Sequence, residues 1–201
     1  METLGKLFGG ATKVKIMRLF ILNPELALET KRVAKRSRVA TTLAAREIHL
    51  LHSIGFLIKR TKGREIIWQL DPNFVFLNQL RGLLKNNVLS RRKELARQFA
   101  RCGRLNLLVV AGVLLEQNDG RADLLLVGDR LNKSAVDRLI KNLEAEIGRE
   151  LRYAVLETAD FTYRLNASDK FVRDIFDYPH QVIVDKIAVR SSYPQQIQVG
   201  V

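Results

Sequence analysis

The chain has 201 residues, of which 47% are hydrophobic and 27% are charged, a composition typical of a folded globular protein rather than a disordered chain. Its one cysteine, Cys102, excludes an internal disulfide and a cysteine-rich zinc site, and we expect it to be an ordinary small residue on a helix. No apolar run approaches the ~18 residues that a transmembrane helix needs, and the N-terminus lacks a secretory signal pattern. We therefore expect a cytoplasmic protein with no membrane association.

Charge is distributed unevenly along the chain. Residues 1–104 hold 22 Lys and Arg against 7 Asp and Glu, a net charge of +15, whereas residues 105–201 hold 12 against 14, a net charge of −2. A basic half joined to a nearly neutral half indicates one module that meets a polyanion and a second with another task. Because the basic residues are interleaved with apolar ones, a folded nucleic-acid reader is favoured over a basic tail or a membrane-surface segment.

The N-terminal part has the pattern of three helices followed by a basic hairpin. Asn23-Pro24 ends the first helix, Gly55 ends the third, and Lys62-Gly63 is the expected hairpin turn. The predicted elements are helices at about 12–22, 29–36 and 41–53 and strands at 56–61 and 64–70. This order predicts a winged helix-turn-helix domain over residues 1–76.

Residues 77–104 follow as a helical connector that is rich in Arg and Lys and could also pair two subunits. Its Arg91-Arg92-Lys93 run is expected to be a solvated helix face rather than a DNA contact. Residues 105–189 then predict an α/β domain with a mixed sheet, and residues 190–201 a flexible tail. The predicted elements of this domain are a strand at 104–115 buried on both faces, a strand at 123–128, a helix at 133–148, a strand at 151–157, a last helix within 163–178, and a final segment, PHQVIVDKI. The fold class is therefore α+β.

The third helix carries the expected base-reading surface. One of its faces is apolar, whereas Thr42, Ala45, Arg46 and His49 recur at i, i+3, i+4 and i+7 on the other. Small residues let the helix approach the major groove, and Arg46 can donate two hydrogen bonds to a guanine. Other residues are expected to contact the phosphate backbone or the minor groove and so to set affinity without reading sequence: Ser37, Arg38, Thr41, Lys59, Arg60, Lys62 and Arg64.

Residues 12–74 resemble the ArsR-type winged-helix repressors of bacteria and archaea, most clearly in VATTLAAREIHLLHSIGFLIKRTKGREIIWQLDPNF. The resemblance implies a regulator that binds double-stranded DNA, which we expect to act as a homodimer on a pseudo-palindrome. Metal-sensing members hold metal with Cys and His pairs, but here His49 and His52 have no third ligand nearby, so no metal site is expected. Trp68 is expected to pack under the wing, the alternative being an exposed platform for single-stranded bases.

Residues 105–189 resemble the small nucleotidyltransferase-like domains that include antitoxin-type adenylyltransferases. In that family a Gly-Ser pair holds the nucleotide phosphates, and an Asp-x-Asp pair with a third acid binds two magnesium ions. Here Gly112 matches the glycine, but Val113 replaces the serine. Asp123 matches the second aspartate, but Arg121 replaces the first, and the later strand around Tyr153 offers no inward acid. Since a lone carboxylate beside an arginine should pair with it, or with a backbone N–H, we expect an inactive domain without cofactor.

This domain then has two alternative uses, which the sequence leaves open. Its old cleft at Gly112, Arg121 and Asp123 could bind a small molecule that alters DNA affinity. Alternatively, an aromatic face could dock a protein or a second subunit, although such stripes are more often core, and its candidate residues are Phe171, Ile175, Phe176 and Tyr178. The sequence as a whole predicts a DNA-binding transcriptional regulator that is not an enzyme. The alternatives are an active nucleotidyltransferase recruited to nucleic acid and an antitoxin-like partner of another protein.

Overall fold

A computed structural model describes residues 2–84, 91–117 and 121–189, without the side chains of Glu2 and Lys62. The chain is α+β and divides into two compact units, one formed by Met1–Lys85 with Lys141–Glu150 and the other by Asn86–Ile140 with Leu151–Val201. The predicted partition at residues 76 and 104 stays a prediction, and the predicted tail, 190–201, lies outside the described residues. In the described ranges, no helix combines the length and the apolar character needed to span a membrane.

The first unit contains every helix and strand that the sequence predicts for it. Its elements are α1 (Glu2–Leu7), α2 (Ala11–Ile21), α3 (Thr30–Ser37), α4 (Thr41–Ser53), β1 (Leu57–Lys62), β2 (Glu65–Leu70) and α5 (Leu77–Leu83). The short helix α1 was not predicted, because six residues give too little periodicity. The hairpin turn lies one residue later than predicted, since Lys62 pairs with Glu65 and Gly63 and Arg64 form the loop. Gly63 has a φ of 63° in the first loop position, which is where a type II′ turn places glycine.

Helices α2, α3 and α4 and the β1–β2 hairpin share one apolar core. Its fully buried side chains include Phe20, Val33, Ile48 and Phe56. Leu28, which precedes α3, pairs with Trp68 of β2 as a short antiparallel bridge and ties the start of α3 to the hairpin. The core therefore fixes the position of α4 relative to the hairpin.

The second unit is built on a four-stranded mixed sheet. Its elements are α6 (Arg92–Ala100), β3 (Arg104–Ala111), a 3-10 helix (Gly112–Leu115), β4 (Leu124–Asp129), the first part of α7 (Lys133–Ile147), β5 (Tyr153–Leu156), α8 (Thr158–Asn166), α9 (Lys170–Asp177) and β6 (His180–Asp185). From Lys141 onwards, α7 belongs to the first unit. The strand order is β5-β4-β3-β6, with β4 and β5 parallel and the other pairs antiparallel. The prediction of a mixed sheet in an α+β chain is confirmed.

Strand β3 is one of the two central strands and is buried from Leu105 to Ala111, as predicted. Leu107 and Val109 point into a cluster with Phe161 of α8 and Phe176 of α9, while Leu108 on the alternate side is also fully buried. Two predictions for this unit are wrong. The strand ends at Ala111 instead of Leu115, because Gly112 takes a left-handed φ of 51° and starts the 3-10 helix. The predicted last helix is two helices, α8 and α9, separated by a break at Ser168, whose φ is 51°.

Candidate nucleic-acid interface and buried carboxylate

Helix α4 has the two faces that its periodicity predicts. Ala44, Ile48 and Leu51 are buried in the core, whereas Thr42, Arg46 and His49 are exposed. Thr41, the first residue of the helix, is exposed as well. The side chain of Arg46 is 75% exposed. The face of α4 that is predicted to read bases is therefore exposed in the first unit.

Glu47 is a buried acid beside Arg46 that the sequence pattern did not indicate. It is 7% exposed, and its carboxylate lies 3.3 Å from the Arg46 guanidinium and 3.6 Å from the Lys13 ammonium. Glu47 lies three positions after Ala44 and four before Leu51, a spacing that places it on the buried face of the helix. The pair with Arg46 holds that guanidinium near the helix. Because Arg46 is mostly exposed, the pair is weak and easily exchanged for another acceptor.

The hairpin presents several basic side chains to solvent. Lys59, Arg60 and Arg64 are exposed. The side chain of Lys62 lies outside the part of the structure that is described. Most of the predicted backbone-contacting cations of this segment are therefore accessible.

Trp68 packs inside the first unit, in agreement with the preferred interpretation. It is 3% exposed, and its indole Nε1–H donates to the Thr30 hydroxyl at 3.0 Å. The rings of His49 and His52 meet its ring edge-to-face, with centroids 5.6 and 5.3 Å away. A buried indole cannot serve as a stacking platform for bases. It instead joins α3, α4 and the hairpin.

Ser37 does not share the predicted contact surface. It is 1% exposed, and its hydroxyl has no hydrogen-bond partner among the described residues. The reason is its position in the last turn of α3, on the side that carries Val33 and Ala34 into the core. Its neighbour Arg38 is exposed and caps α3 in the left-handed region, with a φ of 51°. Of this pair, the structure leaves only Arg38 accessible to a phosphate.

Two of the three histidines, His52 and His180, each lie within hydrogen-bond distance of a backbone carbonyl oxygen. The His52 Nδ1 lies 2.8 Å from the carbonyl oxygen of Leu57, and the His180 Nδ1 lies 2.9 Å from that of Tyr178. Over the described ranges, no group of three or more His, Cys, Asp or Glu side chains is arranged to hold a metal ion.

Cys102 is buried, and this burial raises the pKa of its thiol, which makes the nucleophilic thiolate scarcer at neutral pH.

The carboxylate of Asp123, which directly precedes β4 in the second unit, accepts hydrogen bonds from the backbone on both of its oxygens. It is 1% exposed. Oδ1 accepts the backbone N–H of Val113 at 2.9 Å, and Oδ2 accepts the backbone N–H of Arg152 at 2.8 Å. The Arg152 guanidinium adds a longer contact to Oδ2 at 3.4 Å. The carboxylate thus links the turn after β3 to the segment before β5.

The predicted pairing of Asp123 with Arg121 is wrong. The Arg121 Nε instead lies 2.7 Å from Asp174 Oδ2 on α9, and Arg152 approaches Asp123. The interpretation of Asp123 as an acid satisfied by backbone N–H groups is confirmed. Gly112 is required beside it, because a Cβ at this position would collide with the Asp123 carboxylate and the φ is left-handed.

An open cavity in the second unit lies at the other end of β4. It has a volume of about 520 Å3 and is lined by residues that include Gly128, Leu131, Val136 and Leu156. The six residues of β4 place it roughly 15–20 Å from Asp123 along the strand. The predicted cleft residues Gly112 and Asp123 contact each other instead of lining this cavity.

The predicted aromatic docking face is largely core. Ile175 and Phe176 are buried, and Phe171 packs against the same cluster. Tyr178 is exposed at 41%. Because only Tyr178 of the four predicted docking residues is exposed to this extent, the four do not form a continuous exposed apolar surface.

Comparisons of the chain with protein-family models, with curated proteins and with solved structures find no match. Function must therefore be inferred from the residues and their geometry.

Proposed function

We propose that the chain is a DNA-binding transcriptional regulator whose first unit reads double-stranded DNA. In this proposal α3, α4 and the β1–β2 hairpin act as a winged helix-turn-helix, with α4 in the major groove. The observation that carries the proposal is the exposed face of α4, where Thr42, Arg46 and His49 lie together opposite a fully buried face. Exposed cations on the hairpin and Arg38 support contacts with the phosphate backbone.

In this proposal Arg46 exchanges its ion pair with Glu47 for hydrogen bonds to a base when DNA binds. The ion pair is mostly exposed on the arginine side, so exchanging Glu47 for a guanine edge costs little. Glu47 keeps Lys13 at 3.6 Å as a second cation when Arg46 leaves. Arg46 can then donate two hydrogen bonds to guanine O6 and N7, a contact that discriminates by about 1–3 kcal/mol against another base.

Fluorescence anisotropy with a genomic fragment selected for binding, a scrambled fragment and two salt concentrations tests the proposal. The wild-type chain should prefer the selected fragment, and six or so phosphate contacts should weaken binding by ~10³-fold between 50 and 200 mM salt. Arg46→Ala should reduce the preference by roughly 5- to 150-fold. The matched control Arg60→Ala, on the hairpin, should weaken binding to both fragments alike. Equal effects of the two variants on preference would refute base reading by α4.

We also propose that the second unit is not catalytic. Both oxygens of Asp123 already accept backbone N–H groups, which a metal ion would have to displace, and Arg121 stands where the resembled family has its first aspartate. Incubation with labelled ATP or CTP and Mg²⁺ should therefore give no nucleotidyl transfer. Transfer that is lost in Asp123→Ala would favour the alternative of an active nucleotidyltransferase.

Homodimer formation on a pseudo-palindromic site belongs to the same proposal, because two copies of one reading helix require two related half-sites. Sedimentation analysis of the chain with a single half-site and with two half-sites tests this part. Binding of two copies to the double site with no gain in affinity over the half-site would contradict it. Co-purification with a small toxic protein would favour the antitoxin-like alternative.

A further inference from the structure

A second basic feature of the first unit, besides the β1–β2 hairpin, lies in a concave site. A cavity of about 610 Å3 is lined by residues of α3 and of the segment Lys141–Glu150, all of which belong to this unit. This volume falls within the range of small-molecule sites. Its floor includes the buried side chains of Leu19 and Leu28.

The lining of the cavity is strongly cationic. Two acids also line it, Glu144 and Glu150. The cationic side chains of the lining are Arg32, Lys35, Arg36, Arg38, Lys141 and Arg149. The formal charge of the lining is therefore +4, and its apolar side chains are those of Leu19 and Leu28.

In four of these cations the side chain has no hydrogen bond or ion pair with other described residues: Arg32, Lys35, Arg38 and Lys141. The other two are engaged, since Arg36 pairs with Glu150 at 2.8 Å and Arg149 donates to the carbonyl oxygen of Leu22 at 3.2 Å. Like charges this close repel one another, as at the i, i+3 spacing of Arg32 and Lys35 on α3. An anion with several charges would relieve that repulsion.

We propose that this cavity binds a ligand with two or more phosphate groups and an apolar part, that is, a nucleotide. The unpartnered cations would hold the phosphates, and Leu19 and Leu28 would contact the base or sugar. A ligand with several phosphate groups has two possible sources, a free nucleotide or the backbone of bound nucleic acid. The inference goes beyond the proposed reading of DNA by α4, with which it shares only Arg38.

Calorimetric titration with ATP in EDTA tests the site, with tripolyphosphate and adenosine as the separate phosphate and apolar parts. The wild-type chain should bind one ATP saturably, tripolyphosphate more weakly and adenosine least. Arg32→Gln with Lys141→Gln should weaken ATP binding at least ~10-fold, as expected for loss of two charge-assisted contacts. The charge-matched control, Arg138→Gln with Lys170→Gln in the second unit, should change it less than ~2-fold; both of its residues are exposed.

A parallel titration with duplex DNA distinguishes the two sources. Unchanged duplex affinity in the Arg32→Gln/Lys141→Gln variant would assign the site to a free nucleotide. A uniform loss of duplex affinity that matches the loss for ATP would assign it to backbone phosphates. Equal weakening of ATP binding by the control variant, or no saturable ATP binding by the wild type, would overturn the inference. Neither result bears on Arg46, so the proposed base reading can fail or stand separately.

Discussion

Replacing Asp123 with Asn tests whether its carboxylate has a structural role or the role of a metal ligand. In the structure the carboxylate accepts two buried backbone N–H groups, from Val113 and Arg152, on its two oxygens. The Asn side chain keeps one acceptor and turns an NH₂ group towards the other N–H. One buried donor is then unsatisfied, which costs about 1–3 kcal/mol.

The Arg152 guanidinium adds little to this figure. Its side chain is 55% exposed and its nearest contact to Asp123 is 3.4 Å, so solvent screens the pair. A metal ligand in an empty site would behave in the opposite way. There a buried carboxylate would lack partners, and its neutral isostere would relieve the desolvation of the charge and leave stability equal or higher.

The assay is urea unfolding of the full chain, followed by far-UV circular dichroism and by the emission of Trp68. Trp68 is the only tryptophan in the sequence and lies in the first unit, so its emission reports that unit, whereas circular dichroism reports both. Asp123→Asn should lower the free energy of unfolding by about 1–3 kcal/mol in the dichroism signal. Asp177→Asn is the control, because that side chain is 56% exposed and 3.9 Å from Arg173. A dichroism transition for Asp123→Asn equal to that of the control, or more stable than the wild type, would refute the structural role.

Two further predictions concern a close backbone contact and a pH dependence. Gly148→Ala should destabilise the first unit by more than about 1 kcal/mol in Trp68 emission, because Gly148 has a φ of 78° and a Cβ there would lie 2.7 Å from the Arg18 carbonyl carbon. Gly82→Ala, where a Cβ meets open space inside α5, should be neutral or stabilising by about 0.5–1 kcal/mol. Hydrogen bonds, above all from the Thr158 side chain, lower the pKa of Asp129, so its ionised form stabilises the fold above the ordinary aspartate pKa of ~3.9. Asp129→Asn should therefore be less stable than the wild type at neutral pH, and the difference should shrink as the pH falls through the lowered pKa; a constant difference from pH 7 to 3 would contradict this.

The secondary structure of the first unit followed from local sequence. Helix α4 begins and ends where predicted, at Thr41 and Ser53, because its apolar residues recur at i, i+4 and i+7 and Gly55 follows the end. Exposure of Arg46 followed from the same periodicity. These features depend on residues within a few positions of each other, which is the range that periodicity can read.

Charged residues on buried helix faces were missed for a related reason. Glu47 lies three positions after Ala44, and Arg18 lies four after Val14, so both occupy the buried stripes of their helices. Arg18 is 3% exposed, with its Nε donating to the carbonyl oxygen of Leu84 at 2.9 Å. Periodicity predicts which face of a helix is buried. It does not predict that partners distant in sequence will pair with a charged side chain on that face.

The partner of Asp123 illustrates the limit of reading sites from spacing. Arg121 is two residues away, yet the contacts of Asp123 come from Val113 and from Arg152, 10 and 29 positions away. Arg121 meets Asp174 instead, on a helix 53 positions later. Contacts between strands and helices depend on the sheet order, which the sequence pattern predicted only as mixed.

This change of partners alters the physical reason for proposing an inactive domain. The sequence favoured electrostatic exclusion of Mg²⁺ by Arg121, but the Arg121 guanidinium lies 2.7 Å from Asp174 instead of beside Asp123 and is 59% exposed, so its charge opposes a cation at Asp123 only weakly. The stronger obstacle is that a metal ion would have to displace the N–H groups of Val113 and Arg152 from Asp123, at a cost of about 1–3 kcal/mol for each buried donor. A single carboxylate cannot recover that cost from a hard cation that prefers several oxygen ligands. An Arg121→Asp substitution alone would therefore not restore a magnesium site, since it supplies a second acid but leaves Asp123 bound to the backbone.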